Sequence, residues 1–313
     1  MKVIVWKPDY TGSQSPAGRA TSALSEGLKN LGVDHEVRRA KDITGEIPVA
    51  DIAVVNGWLK DYIDGRAAKN RCDVIRAQQA AGKPTFCIER GFVGDRHEWS
   101  GFSIDGFAGN GGDFRAEGMP SDRWDAMGIE LQPWRTGGDY ILLCAQVPWD
   151  AQVDGGNHLA WLEETAAEIR KHTERPIVFR GHPKAWRRVD PYLGLPGDPW
   201  REMGVRFGDL RHPPTTTFEE DLAGAHAVVC FNSNVATLAT IAGVPVFTGA
   251  PCLADPIALR GDWTGKTMWD LLGCMEIVNP LPGVREQWLA DLCYKQWSVD
   301  EFREGTPWKH LTR

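Results

Sequence analysis

The sequence predicts an α/β protein made of two Rossmann-like domains. Three observations carry this expectation: short β-branched apolar runs alternate with amphipathic helical stretches, several of those stretches stop at a glycine, and 313 residues give room for two domains of ordinary size. Alternation of this kind is the signature of a parallel sheet, whose strands are joined by crossover helices.

In the N-terminal half, residues 2–6 read as the first strand. A Gly/Ser/Pro loop and a helix over 19–31 follow, in Rossmann order but without a GxGxxG fingerprint. Short strands are expected at 34–38 and 52–56, a helix at 66–81 ended by Gly82, and a strand at 84–88. From 92 to 138 the periodicity fails, and the Gly-, Asp- and aromatic-rich segment is longer than an ordinary connection, so it is expected to be irregular. The strand-helix pattern restarts at 140–146 and continues through a helix at 157–172 and strands at 176–180 and 204–207. Next comes a helix carrying Asp221 and Leu222, a buried strand at 226–231, a helix over 235–242 stopped by Gly243, and a strand at 244–248. The expected division is therefore 1–138, 139–284 and a tail, 285–313, that returns to the first domain. The tail reads as a helix over 285–297, a capping box from Ser298 to Glu301, and a second short helix.

Composition excludes some classes. The chain is 42% hydrophobic and 25% charged, with no apolar run near the ~20 residues that cross a bilayer. The start, MKVIVWKPDY, reads as a strand and not as an export signal, which predicts a cytoplasmic protein. Seven cysteines, scattered and odd in number, predict buried reduced thiols. A net charge of −7 argues against simple coating of nucleic acid while leaving room for a local basic groove.

Two segments carry the chemistry. The Asn232-Ser233-Asn234 turn lies between a buried strand and a helix, where free backbone N–H groups favour an anion. Arg180, His182 and Lys184 leave another strand of the same domain at its C-terminal end, and C-terminal strand ends are where ligands sit in open α/β sheets. Arginine offers a fork of donors to phosphate oxygens, so the two segments together predict a site for a nucleotide phosphate that gains charge as a leaving group. The alternative leaves Arg180 paired with an acid such as Asp209 and His182 as an ordinary loop residue. No DxD-like acidic motif is present, so no metal is expected.

VFRGHPKA, DLAGAHAVVCFNSNVATLATIAGVPVFTG and ILLCAQVPWDAQV resemble the capsule polysaccharide biosynthesis transferases. The resemblance covers roughly residues 140–260 and is loose over the N-terminal half. The stretch from Phe92 to Phe114 and the ending QWSVDEFREGTPW resemble phage-encoded DNA-modifying glycosyltransferases. Both imply a GT-B architecture, two Rossmann-like domains facing a cleft, and transfer of a sugar from a nucleotide-sugar donor to a hydroxyl acceptor.

The matching donor residues are Gln146, Arg180, His182, Ser233 and Asn234, with Lys184 and Asn232 beside them. The acid that such transferases carry five residues after the serine is here Leu238, leaving Thr237 or Thr240 as a weaker ribose contact or the ribose held elsewhere, and Ala145 replaces a glycine. Base rate favours a UDP-sugar and the family resemblance a CMP-sugar, with no further cofactor. The acceptor is a modified base in phage DNA or a saccharide chain; the DNA version calls on Arg96, His97, Trp99 and Arg115 near a flipped base. Candidate general bases are Glu89 at a strand end, Asp95 in the irregular segment and Asp9 after the first strand, each of which has an alternative as a salt-bridge partner. A non-catalytic two-lobed binding protein and a nucleotide-sugar epimerase of GT-B shape are the other readings.

Overall fold

The computed structural model describes residues 1–7, 16–58, 66–95, 97–147, 150, 152–153, 158–182, 205–207, 216–260 and 280–313. The chain divides into two compact units, residues 1–129 with 289–313, and residues 130–288. Sequence periodicity placed these divisions at 138/139 and 284/285. Residues 132–138 belong to the second unit because its backbone holds them: Gln132 N donates to Ile241 O at 2.9 Å and Arg135 N to Gly243 O at 2.8 Å.

The first unit is a six-stranded sheet in the order β12-β5-β4-β3-β1-β2. Strands β1 (Val3–Lys7), β2 (His35–Arg39), β3 (Ile52–Asn56) and β4 (Thr85–Arg90) are parallel. In β1 successive side chains alternate between faces. Val3 and Val5 join a core with helix α1 (Pro16–Asn30), while Ile4 and Trp6 join one with helix α2 (Arg66–Ala80). Burial on both faces explains why the strand is an unbroken apolar run.

Two expectations are corrected here. The segment 92–138 contains a regular strand, β5 (Trp99–Ile104), antiparallel to β4, and a one-turn helix, α3 (Asp122–Met127). Its short β run was hidden among glycines that the packing requires: a Cβ at Gly101 would come within 2.6 Å of the Phe92 ring. The tail is likewise not helical throughout 285–297. The helix ends at Cys293, and Gln296–Ser298 form strand β12, paired antiparallel with β5. Strand β5 offers an open ladder edge, and hydrogen bonding to it outweighs one further turn of helix. The Ser298 capping box forms as expected, with Glu301 N donating to Ser298 Oγ at 3.2 Å.

The second unit is a six-stranded sheet in which every pair is parallel. Its strands are β6 (Tyr140–Cys144), β7 (Ile177–Arg180), β8 (Val205–Phe207), β9 (Ala225–Cys230), β10 (Val246–Thr248) and β11 (Leu259–Arg260). They lie in the order β11-β10-β9-β6-β7-β8. Counted from β6, that is 3-2-1-4-5-6 read from the β8 edge, the doubly wound Rossmann order. Helix α4 (His158–His172) packs Trp161, Leu162, Ala166 and Ile169 against Ile141, Leu143, Ile177, Phe179, Ala227 and Val229. The α/β fold with two Rossmann-like units is therefore the one the sequence predicts.

Candidate functional site

The strand order of the second unit reverses between β6 and β9, and the residues leaving those two strands meet there. Cys144 lies opposite Cys230 in the ladder, so Gln146 and Asn232, two residues on, face one another past the sheet edge. Their amides hold each other: Gln146 Nε2 donates to Asn232 Oδ1 at 2.8 Å, and Asn232 N donates to Gln146 Oε1 at 2.7 Å. Asn232 Nδ2 also donates to Gln152 O at 2.9 Å. Both residues are 7% exposed. The paired amides thus build a rigid, uncharged rim at the switch point, the place where doubly wound sheets take ligands.

His158, at the start of α4, supports this rim from below. Its Nε2 accepts from Gln146 N at 2.9 Å, which puts the ring proton on Nδ1. The ring stacks on Trp161 with centroids 5.7 Å apart and meets Phe231 edge-on. Burial pushes its pKa from 6.5 down to about 4, so the ring is neutral near pH 7 and suited to accepting that backbone hydrogen bond. Sequence reasoning missed His158, since nothing local distinguishes it from any other first residue of a helix.

Ser233 and Asn234 follow at the same edge, both half-buried. Ser233 Oγ accepts from Val235 N at 3.4 Å, and Asn234 is the N-cap residue of helix α6 (Val235–Ile241), its side chain making no bond to the helix's first backbone N–H groups. The helix has only seven residues, so its dipole contribution is that of two turns.

Thr237 faces inward on α6 and is fully buried, because apolar and small residues at 236, 237, 239 and 240 make that face of the helix the packed one. A ribose contact from Thr237 does not fit this placement. Leu238, by contrast, is half-buried.

Arg180 departs most from its expected role. Strand alternation sends Ile177 and Phe179 to the α4 face and Arg180 to the other, where helix α5 (Phe218–Ala223) begins. There its Nη1 forms an ion pair with Asp221, and Nη1 and Nη2 each donate to Thr216 O at 3.2 Å. Thr216 Oγ1 completes the cluster by donating to Asp221 Oδ1 at 2.8 Å. The guanidinium charge is therefore already balanced by Asp221; Asp209 lies outside the described residues. His182 is half-buried on the segment leaving β7; Lys184 lies outside the described residues.

In the first unit, Glu89 sits at the end of β4, half-buried. It borders Gly57, which follows β3 with φ +83: a Cβ there would lie 3.1 Å from Glu89 Oε1 and 3.8 Å from Arg71 Nη1. Arg71 is fixed in turn by donating to Asn56 O. A carboxylate thus stands beside a cation at the C-terminal ends of parallel strands. Asp95 is exposed, and its carboxylate closes a turn by accepting from His97 N at 2.8 Å. Asp9 lies outside the described residues.

The four residues expected around a flipped base are not assembled among the described residues. Arg96 lies outside them. His97 is exposed, with its carbonyl taking a bond from Arg19. Trp99 is packed on Gly91 and Gly94, with the Arg123 guanidinium 5.9 Å from its ring. Arg115 turns to the Arg313 carbonyl and Asp113.

Six cysteines are buried free thiols, at 72, 87, 144, 230, 252 and 293; Cys274 lies outside the described residues. Among the described residues no group of three or more His, Cys, Asp or Glu side chains gathers as a metal site would, and no helix is long and apolar enough to cross a membrane.

No family model matches the sequence, and no curated protein matches it. Solved structures do. Thermosulfurimonas dismutans KpsC, beta Kdo 2,4 transferase, superposes with a TM-score of 0.54 at 14% identity, covering 93% of this chain and 89% of that one. The beta Kdo 2,7 transferase of the same KpsC matches over 100% of both chains at 12% identity with a TM-score of 0.48. Methanocaldococcus jannaschii UDP-GlcNAc 2-epimerase, in complex with UDP-GlcNAc and UDP, matches 83% of this chain and 89% of that one at 12% identity with a TM-score of 0.33. The chain has the two-unit α/β fold of the beta Kdo 2,4 transferase, a GT-B-like fold.

Proposed function

We propose that the protein is a glycosyltransferase that moves a sugar from a nucleotide-sugar donor to a hydroxyl of a saccharide. The observation that carries the reading is the Gln146–Asn232 pair at the strand-order switch point, in a chain with the fold of a Kdo transferase. The donor phosphate lies against Ser233 and the backbone of the 232–234 turn, with His182 alongside. Because Arg180 is neutralised by Asp221, its role is to anchor α5 beside the site. Uncharged donors then bear the leaving-group charge, and they do so without a metal.

Glu89 is the general base in this reading. Its strand-end position gives a rigid platform. A saccharide is preferred to DNA as acceptor because several basic residues of the first unit spend their charge internally. Arg123 pairs with Glu301, and Lys69 and Arg76 pair with Asp73, while phosphate neutralisation needs free cations.

The test is a thermal-shift screen against CMP-, UDP-, GDP- and ADP-sugars. A ligand that binds only the folded state raises Tm, by the equivalent of about 2.7 kcal/mol at a hundredfold excess over Kd. One nucleotide class raising Tm, with the rise reduced in Ser233→Ala, is the expected result. No shift with any of the four removes the basis of the proposal.

A further inference from the structure

The first unit carries a cavity of about 610 Å³ at the outer edge of its sheet, lined by none of the candidate site residues. It is lined by Trp6 of β1, by Arg38 and Arg39 at the end of β2, and by Asp42, Thr44, Gly45 and Glu46 of the segment that follows. Its volume falls in the range of about 300–1,000 Å³ that small-molecule sites occupy. Like the Glu89 site, it lies at C-terminal strand ends. Strand β2 is three places from β4 in the sheet, about 14 Å at the ~4.8 Å spacing of neighbouring strands.

Two features point to a ligand. Trp6 is 1% exposed, yet its indole Nε1–H has no acceptor among the described residues. A buried donor left unmade costs about 1–3 kcal/mol, and a ligand hydroxyl that enters far enough to reach the indole would remove that cost. The charged lining is also uncommitted: Arg38 is spent on Glu36, whereas Arg39, Asp42 and Glu46 are exposed and enter no ion pair among the described residues.

We infer that this cavity binds a neutral oligosaccharide. Hydroxyl groups both donate and accept, so they satisfy Asp42 and Glu46 as acceptors and Arg39 and Trp6 Nε1 as donors at once. An anionic ligand would meet two unpaired carboxylates against one unpaired cation. The ligand's role as the held end of an acceptor chain, reaching across the sheet toward Glu89, rests on the glycosyltransferase reading; the binding itself does not.

The test is a 1H–15N NMR titration of the full chain with maltotriose, cellotriose and triacetylchitotriose, and with trigalacturonate as the anionic comparison. The Trp6 indole signal is identified by its loss in Trp6→Phe or, should that variant not fold, by through-bond assignment. At least one neutral trisaccharide is expected to shift this signal, and trigalacturonate to bind at least fivefold more weakly. Gly45→Leu serves as the blocking variant, since a Cβ at Gly45 meets no atom within 4 Å and so extends into open space. It is expected to weaken binding at least tenfold, and D42N/E46Q at least fivefold.

No shift with any neutral trisaccharide, or one that persists undiminished in Gly45→Leu, overturns the assignment. The outcome is separable from that for the donor site. Gly45→Leu should still gain Tm from the nucleotide sugar that stabilises the parent, and a trisaccharide shift without any nucleotide-sugar response would leave this site standing while removing the transferase reading.

Discussion

Replacing Gln146 by leucine probes the rim of the switch point directly. The leucine side chain is one heavy atom smaller, and it can neither donate to Asn232 Oδ1 nor accept from Asn232 N, the two bonds of 2.8 and 2.7 Å. Both partners are buried, with Asn232 only 7% exposed, so water does not replace what is lost. Two buried polar groups left unmade, at about 1–3 kcal/mol each, give an expected loss of about 2–6 kcal/mol. Against a typical total of about 5–15 kcal/mol that is a large fraction. Urea unfolding followed by tryptophan fluorescence measures it. Gln146→Glu should cost less, because Oε1 can still accept from Asn232 N, although its second oxygen then faces Asn232 Oδ1, which is oriented by the bond from Nδ2 to Gln152 O. A Gln146→Leu variant within 0.5 kcal/mol of the parent would refute the claim that these amides form a rigid rim.

Three further outcomes follow from the same structure. Arg180→Met leaves Asp221 largely buried without its counterion, the two side chains being 12% and 16% exposed; a loss of about 2–4 kcal/mol is expected by urea unfolding, with R180M/D221L recovering part of it. His158 has its folded pKa lowered by burial to about 4 from 6.5; the unfolded chain therefore binds the extra proton first, so its contribution is complete above pH 6.5 and lost as pH falls toward 4, about 3 kcal/mol in all, and the difference in unfolding free energy between the parent and His158→Phe should narrow between pH 7 and pH 4.5. Glu89→Gln should reduce sugar transfer about 10²–10⁴-fold while leaving the nucleotide-sugar thermal shift intact, whereas Asp95→Asn should change transfer less than threefold; the reverse order would move the base to Asp95.

Much of the fold was legible because its signals are local. Strand β3 (Ile52–Asn56) is an apolar run buried on both faces, and Gly82 and Gly243 end helical stretches at φ +63 and +74, where glycine escapes the Cβ clash. The Ser298–Glu301 capping box was readable for the same reason. What was not legible depends on partners far away in sequence. Asp221 takes Arg180 across 41 residues, and Gln146 reaches Asn232 across 86. Gln146 and Asn232 could each be singled out as polar residues after a strand, but only the strand order puts them opposite one another. Strand β5 escaped detection because the glycines that let Phe92 and Trp99 pack closely on it and around it also erase the alternation by which strands are recognised. Arg115 looked available to a nucleic-acid site until Asp113 and the Arg313 carbonyl were placed beside it.

The central claim is that the second unit takes a nucleotide sugar where β6 and β9 diverge. Hydrogen-exchange mass spectrometry of the full chain, with and without saturating CMP-sugar or UDP-sugar, tests it most directly. One of the two is expected to slow exchange in peptides covering 144–147 and 230–236, and Ser233→Ala to weaken this protection about tenfold in ligand concentration, the loss of one hydrogen bond to a charged group. Protection confined to other peptides, or none at saturation with either donor, would contradict it.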